Sequence, residues 1–470
     1  MEKSKLLRVL QSLDKKEWRQ LQQFLQSPFF NQRQDLNSLF ELLREGLKQE
    51  QSLPTKEELF RKIYPQQAFS VTNFDLLMSY LFRLVKRFLI LSDLETDELQ
   101  QALRLGRAYR KRGLAQDFQQ TSLRLQQQLE QQPRRDASYY DLRYQLQWEQ
   151  HLEQSARQPS DEAHLLEMNQ TIDLSYLALK LRHACLISAH RSVYQSDSQI
   201  EFLEPVLHYV QQARLLSHPA IGIYYHCHFM LTEPDQEEHF QQFKQLLFQY
   251  GRQFPDIEIR DLYLLATNYC VRQANEGQKA YLDQLFELYK EGLEKGFLLE
   301  NGILSRFTYH NAVGTGLRTG NFAWTARFIH TYKESLEKKY RESSFSFNQA
   351  RLEYSQQNYS AALALLQKSN YRDLLLNLAA KALLLKIYYE LGEYDLLDSH
   401  LEAMRRYIRR KRVIGYHKSN YLNIMSYTRK LLVVNPYHRE EGVQLERAIQ
   451  EEEVLSEKEW LLRQVNKLFP

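Results

Sequence analysis

The stretch from Phe345 to Arg412 constrains the fold more than any other part of the chain. It contains two similar segments in which an apolar helical face is followed by a short break and a second apolar face. Tyr359 and Tyr394 follow the two breaks and lie 35 residues apart. This interval is typical of one helix-turn-helix unit per repeat. A unit of this size cannot bury its apolar face alone, so the sequence predicts hairpins that stack on one another.

Small and aromatic residues recur around both breaks. They are Ala350, Tyr354, Tyr359 and Ala362 in the first segment, and Tyr388, Tyr389, Gly392 and Tyr394 in the second. The pattern resembles the tetratricopeptide repeat, most clearly over about residues 305–412, with a weaker unit around Phe322. Larger residues replace the family's small ones at Leu385, Leu397 and Met404, and the closing proline is absent. The chain is therefore identified as a degenerate relative of that family.

The resemblance implies an all-α fold in which antiparallel hairpins stack as a right-handed α-solenoid. In that geometry the inner helices line a concave face, with Phe347, Arg351 and Tyr354 beside Ala382, Lys386 and Tyr389. Cations flanked by tyrosines would suit an extended peptide with carboxylates or a free C-terminus. The alternative is that Tyr354 and Tyr389 only pack between repeats, since tyrosine combines an apolar ring with a polar tip.

Composition supports long helices with short turns. Only 15 Gly and 11 Pro occur in 470 residues, 43% of the residues are hydrophobic, and alternating strand-like runs are not found. We expect an N-terminal helical bundle over 1–95, a helical-hairpin solenoid over 96–300, the repeats over 301–435 and capping helices over 436–470. Capping boxes are predicted at Asp14 and Glu17, Thr55 and Glu58, Thr72 and Asp75, and Ser456 and Glu459.

One helix should hold the N-terminal bundle together. Phe74–Leu91 presents a wide apolar stripe, and each large side chain on it contributes about 1.5–3 kcal/mol when buried. The acidic stretch Ser92–Glu98 is a candidate boundary after this helix.

Net charge is nearly balanced, with 62 basic and 58 acidic residues, so any nucleic-acid binding needs a local patch. The candidate patch comprises Arg405, Arg406, Arg409, Arg410, Lys411 and Arg412. It could contact phosphates. The alternative is a helix C-terminus, where cations stabilise the dipole by about 0.3–1 kcal/mol each. A looser basic cluster comprises Arg104, Arg107, Arg110, Lys111 and Arg112.

Two other motifs give weak signals. A histidine-rich stretch contains His208, His218, His226, Cys227, His228 and His239. His226 and His228 would diverge by about 200° on a helix, so we expect no metal. Gly314, Gly316 and Gly320 superficially resemble a dinucleotide loop, but the third glycine is one residue late and the preceding segment is helical. We expect a helix followed by a glycine turn, and no cofactor.

The cellular compartment is predicted from the number and spacing of the cysteines and from the hydropathy of the chain. The three cysteines are Cys185, Cys227 and Cys270; they are far apart and form no CxxC motif. This usage favours a reducing, cytoplasmic location. The first residues lack the apolar core of a signal peptide, and no run approaches the roughly 18 apolar residues of a membrane span. Membrane insertion is not expected.

The sequence predicts a non-catalytic scaffold that binds a peptide or partner protein on the concave face of the solenoid. One alternative is a nucleic-acid-associated helical repeat protein that uses the patch at 405–412. A second alternative is a regulatory subunit of an enzyme, or an enzyme whose site carries no familiar motif.

Overall fold

The computed structural model describes residues 4–48, 54–155, 162–194, 199–368, 371, 373–411 and 415–469. In these residues the regular structure is helical except for one short β-hairpin. The predicted all-α class is confirmed.

The helices fall in the following order. They are α1 (Lys5–Ser12), α2 (Lys15–Gln26), α3 (Gln34–Lys48), α4 (Lys56–Ile63), α5 (Val71–Thr96), α6 (Glu98–Lys111), α7 (Ala115–Gln131), α8 (Ala137–Ser155), α9 (Glu162–Tyr194), α10 (Leu203–Gln212), α11 (Pro219–Thr232), α12 (Glu237–Tyr250), α13 (Asp256–Asn275), α14 (Tyr281–Glu294), α15 (Arg306–Arg318), α16 (Phe322–Thr331), α17 (Lys338–Ser355), α18 (Tyr359–Lys368), α19 (Leu374–Leu391), α20 (Tyr394–Arg410), α21 (Gly415–Val433), α22 (Arg439–Glu451) and α23 (Lys458–Leu468). Short 3₁₀ turns occupy Leu215–Ser217 and Gly251–Gln253.

Consecutive helices pack against each other as hairpins. The most extensive packing joins α6 to α7, α11 to α12, α13 to α14, α15 to α16, α17 to α18 and α19 to α20. Helices two positions apart also touch, as α15 does with α17 and α17 with α19. This is the arrangement of a helical repeat, in which each hairpin contacts its neighbours.

The chain divides into two compact units. The first comprises residues 1–133 and 137–176, and the second comprises 134–136 and 177–470. The division at 176 lies inside α9 and inside the predicted 96–300 segment.

In the first unit, α1 to α5 enclose an apolar core. Helix α5 contributes Phe74, Leu77, Leu81, Val85 and Phe88 to it. The capping boxes predicted at Asp14 and Thr55 are present. The predicted start of α5 is wrong, because Ser70 caps the helix by accepting from the backbone N–H of Asn73 at 3.3 Å. Helix α5 also continues to Thr96, so most of the acidic stretch is helical.

In the second unit, α19 is buried on two faces. Leu378, Ala382 and Leu385 join one core cluster with α20, α21 and α23. Ala380, Leu383 and Ile387 join another with α17 and α18. A helix that is apolar all round must be covered on both sides, and the neighbouring hairpins provide that cover.

Three local expectations in the second unit are corrected. Gly314 and Gly316 lie inside α15, and the turn comes later, at Gly320 with φ of +74°. Ser456 does not cap α23, because the helix begins after Glu457 and no side-chain cap forms. Strands β1 (Leu299–Glu300) and β2 (Ile303–Leu304) form a hairpin at Asn301 and Gly302, a pair that favours such a turn.

We predict that Gly316→Ala destabilises the second unit by about 1–3 kcal/mol, because overpacking a filled site forces side chains to shift. A Cβ at Gly316 would overlap Oγ1 of Thr325, which is fully buried and donates to the carbonyl of Asn321 at 2.8 Å. Faster amide hydrogen exchange over α15 and α16 is the expected readout.

Gly106→Ala is the matched control, since a Cβ there meets only the ring of Phe118 and the methyl of Thr121 at 3.8 Å. Replacing a helical glycine where the added Cβ makes only ordinary van der Waals contacts should stabilise by about 0.5–1 kcal/mol. Equal effects of the two substitutions would contradict the close approach at Gly316.

Candidate functional site

A cavity of about 420 Å³ lies in the second unit on a face formed by successive hairpins. Its walls come mainly from α13, α15, α17 and α19, the first helix of each of four consecutive hairpins, with Tyr421 of α21 beyond them. Four of the predicted concave-face residues line it: Phe347, Arg351, Ala382 and Lys386. The repeat register expected from the sequence therefore places these side chains around one space.

Arg351 is the central charge of this cavity. Its Nη1 donates to the carbonyl oxygen of His310 at 3.0 Å and to Oδ1 of Asn348 at 3.1 Å. In the described part of the chain, Nε and Nη2 have no hydrogen-bond partner and no carboxylate pairs with the guanidinium. Burial lowers the pKa of Arg351 to about 10. The negative charge of Glu457 acts in the opposite direction and raises this pKa. The group remains cationic at neutral pH, without a directly paired anion.

A glycine makes room for that guanidinium. A Cβ at Gly314 would lie 2.6 Å from Nη2 of Arg351. The glycine that superficially resembled part of a phosphate loop thus allows α15 to approach the side chain that α17 contributes.

Lys386 has an ion-pair partner. Its Nζ lies 2.9 Å from Oε2 of Glu457, and its side chain is only 13% exposed. The ammonium also lies over the ring of Tyr354, 5.0 Å from the centroid. Glu457 and Ser456 form part of the cavity wall, where the backbone N–H of Ser456 donates to Oδ1 of Asn420 at 2.7 Å.

His310 is a structural histidine in this wall. Its Nδ1 lies 2.8 Å from Nδ2 of Asn348, and its Nε2 lies 3.4 Å from Oγ of Ser344. Burial, assisted by the charge of Arg351, lowers the pKa of His310 to about 4. The imidazole is therefore neutral at physiological pH and both ring nitrogens are occupied, which favours a positioning role over proton transfer.

The two predicted tyrosines point to packing partners. Tyr354 donates to Oε1 of Glu390 at 2.6 Å, and Tyr389 packs against the ring of Trp460 with centroids 5.5 Å apart. Neither ring lines the cavity. Both tyrosines pack between helices, and their role in binding stays a prediction.

The carboxylate of Glu390 accepts hydrogen bonds from side chains of three other helices. Its carboxylate accepts from Tyr354, from Tyr359, from Nε1 of Trp460 at 2.6 Å and from Nε2 of Gln464 at 3.4 Å. Burial opposes ionisation, but these hydrogen bonds outweigh it and hold the pKa of Glu390 below its ordinary value. The carboxylate thereby ties α17, α18 and α23 to α19.

The predicted basic patch lies on the outer face and at the end of α20. Arg405, Arg406, Arg409, Arg410 and Lys411 are exposed, while Leu401, Met404 and Ile408 of the same helix are buried. Arg412 lies outside the described residues. We call the five described cations the α20 ridge.

The looser basic cluster on α6 is partly neutralised. Nε of Arg107 lies 2.6 Å from the Glu149 carboxylate, and Nη2 of Arg110 lies 2.8 Å from it. Glu149 is buried, so these two arginines compensate a negative charge inside the first unit.

The histidine-rich stretch packs without forming a three-ligand cluster. Nδ1 of His226 and Nδ1 of His239 are 3.0 Å apart, and burial together with His239 lowers the pKa of His226 to about 4. Among the described residues, no three His, Cys, Asp or Glu side chains converge as metal ligands would. Likewise, no helix in the described ranges is long and apolar enough to cross a membrane. The three cysteines are free and buried.

A second cavity, of about 530 Å³, lies in the first unit between α7, α8 and the start of α9. Glutamines dominate its polar lining, and its one arginine, Arg143, pairs with Glu167 at 2.8 Å. We favour the smaller cavity as the functional site because it presents a cation that no acid neutralises.

Sequence reasoning missed Glu457, His310 and Glu390. Glu457 lies 71 residues after Lys386, and no local pattern links them. His310 carried a usable signal, since it lies one repeat before Phe347 on the face that pattern predicts to be inward.

We predict that Glu390→Gln destabilises the second unit by about 1.5–3 kcal/mol, the contribution of a hydrogen bond to a charged group. Since the native pKa of Glu390 is lowered, its stabilisation is complete above the unfolded value near 4.5 and is lost as the pH falls through the native pKa. The difference in melting temperature between wild type and variant should be constant above about pH 5 and shrink below it.

Glu393→Gln is the control, because Glu393 is exposed and lies three residues away. It should leave the melting temperature unchanged across the same pH range. A Glu390→Gln difference that does not change between pH 7 and pH 3 would contradict an ionised carboxylate at this position.

Known proteins provide no template for either cavity. Comparison of the chain with protein families, with curated proteins and with solved structures found no match.

Proposed function

We propose that this protein is a non-catalytic adaptor whose second unit, a degenerate tetratricopeptide-like array, binds an acidic peptide segment or a peptide C-terminus in the cavity around Arg351. The observation that carries the proposal is the half-buried guanidinium of Arg351, which faces a concave space without a carboxylate partner in the described residues. A carboxylate would accept from Nε and Nη2 in the bidentate geometry that arginine favours.

The surroundings of Arg351 suit a peptide. Phe347, Leu383 and Ala382 supply apolar wall, Asn311 supplies an amide, and Arg318 adds a cation to Arg351 and Lys386. A few polar groups in a mostly apolar concavity are typical of a ligand site.

A binding role fits better than catalysis. The titratable groups of the cavity lining with a shifted pKa are His310, Arg351 and Tyr421. Both ring nitrogens of His310 are already engaged, and burial raises the pKa of Tyr421 to about 12, so its hydroxyl stays protonated at neutral pH. The buried, unpaired cysteines support our proposal of a reducing, cytoplasmic location.

Arg351→Gln should weaken binding of acidic peptides at least tenfold, because a charge-assisted hydrogen bond contributes about 1.5–3 kcal/mol. The measurement is an array of synthetic decapeptides, each made with a free and an amidated C-terminus, probed with the full chain. Arg327→Gln is the matched control, since Arg327 is exposed on α16 and does not line the cavity.

Two further variants test the site from opposite directions. Gly314→Ala keeps every charge but displaces the guanidinium, so it should weaken binding as Arg351→Gln does. Glu457→Gln releases Lys386 from its ion pair and should strengthen binding of the same peptides. Wild-type binding that survives both Arg351→Gln and Gly314→Ala would rule the cavity out as the peptide site.

A further inference from the structure

Most cations of the α20 ridge lack an acid partner among the described residues. Among its five cations, only Arg405 has a carboxylate within reach, Glu402 at 4.0 Å. Glu402 is itself held more closely by Arg429. In the described residues, Arg406, Arg409, Arg410 and Lys411 form no ion pair.

The helix dipole does not account for the ridge. Helix α20 ends at Arg410, and a terminal dipole acts only within the last turn. Arg405 and Arg406 precede that turn. Glu402 is the carboxylate nearest to them, and it lies 4.0 Å from Arg405 and closer to Arg429.

A sixth cation approaches the ridge from α19. The ammonium of Lys381 lies 5.5 Å from the ring centroid of Tyr407, and Cζ of Arg410 lies 5.9 Å from the same ring. Burial, and then the charge of Arg410, lowers the pKa of Lys381. The nearby carboxylate of Asp373 is engaged with Arg306 at 3.1 Å. The aromatic ring of Tyr407 is thus flanked by two cations at the edge of the ridge.

We infer that the α20 ridge is a binding surface for single-stranded nucleic acid, with the arginines on phosphates and Tyr407 as a stacking platform. Arginine binds phosphate bidentately, and a positive surface with an aromatic ring is the combination that binds single strands without sequence preference. This surface is separate from the peptide cavity and does not depend on it.

The structure favours nucleic acid over a membrane surface. A membrane-binding helix places large apolar side chains beside its cations. The apolar residues of α20 nearest the ridge, Met404 and Ile408, are buried in the core. Among the described residues of α20, the ridge therefore offers phosphate contacts but no exposed aliphatic side chain beside them.

The test is fluorescence anisotropy of a labelled 20-nucleotide single-stranded RNA, and of the matching DNA, with the full chain. Four or five phosphate contacts predict a slope of about −3 in a plot of log affinity against log salt. Arg406→Glu with Arg409→Glu and Arg410→Glu should abolish the binding at 50–200 mM salt, and the three Arg→Gln substitutions should flatten the slope.

The matched control reverses three charges elsewhere, at Arg104, Lys111 and Arg124, which are all exposed on α6 and α7. This variant should bind as wild type does. Tyr407→Leu keeps the apolar packing but removes the ring, and should weaken binding roughly tenfold with an unchanged salt slope.

Three results would overturn the inference. They are no binding of either oligonucleotide by the wild type at 50 mM salt, equal loss of binding in the control triple variant, and equal or tighter binding of phosphatidylserine vesicles or polyglutamate through the same arginines. Unchanged melting curves of the variants establish that each has folded.

Discussion

The apolar faces of α19 must be covered by the neighbouring helices, and this requirement determines how those helices pack. One face of this helix shares a core with α20, α21 and α23, and another shares a core with α17 and α18. Each large side chain in these cores contributes about 1.5–3 kcal/mol only if the neighbouring hairpin covers it. The walls of the cavity are therefore fixed by stacking between hairpins, which places Ala382 and Lys386 around the same space as Phe347 and Arg351.

Buried carboxylates in this protein are stabilised by hydrogen bonds and ion pairs and not by apolar packing. Three buried or half-buried glutamates each acquire donors from distant helices: Glu149 from Arg107 and Arg110, Glu258 from Arg182 and Tyr224, and Glu390 from two tyrosines, Trp460 and Gln464. An uncompensated buried charge is strongly unfavourable, so these networks are what the stability of a helical array requires. Against that background, Arg351 lines a cavity with no carboxylate within ion-pair distance among the described residues.

Much of the fold could be predicted from local patterns. The spacing of Tyr359 and Tyr394 fixed the hairpins, and the capping boxes at Asp14 and Thr55 fixed two helix starts, because these signals act within a few residues. The capping box predicted at Ser456 does not form, because a distant contact replaces the local one. The backbone N–H of Ser456 donates to Asn420, a partner 36 residues away. Glycine in isolation predicts a turn at Gly314 and Gly316, whereas here both lie in α15, where a Cβ would displace the guanidinium of Arg351 or overlap Oγ1 of Thr325. The repeat spacing predicts which residues line the same face of the candidate site. The ion pair between Lys386 and Glu457 depends on a tertiary contact that the repeat spacing does not predict.

The two cationic surfaces differ in burial, and burial determines how each responds to its surroundings. Arg351 lies in a concavity whose protein walls lower the local dielectric, so its attraction for a carboxylate is screened only weakly by salt and depends on the exact direction of its hydrogen bonds. The arginines of the α20 ridge are exposed, so their attraction is long-ranged, tolerant of geometry and steeply reduced by salt. The cavity is therefore suited to discriminate between ligands, and the ridge is suited to attract a polyanion. Because the two surfaces share no side chain, the two proposed activities can be tested with separate substitutions on the same protein.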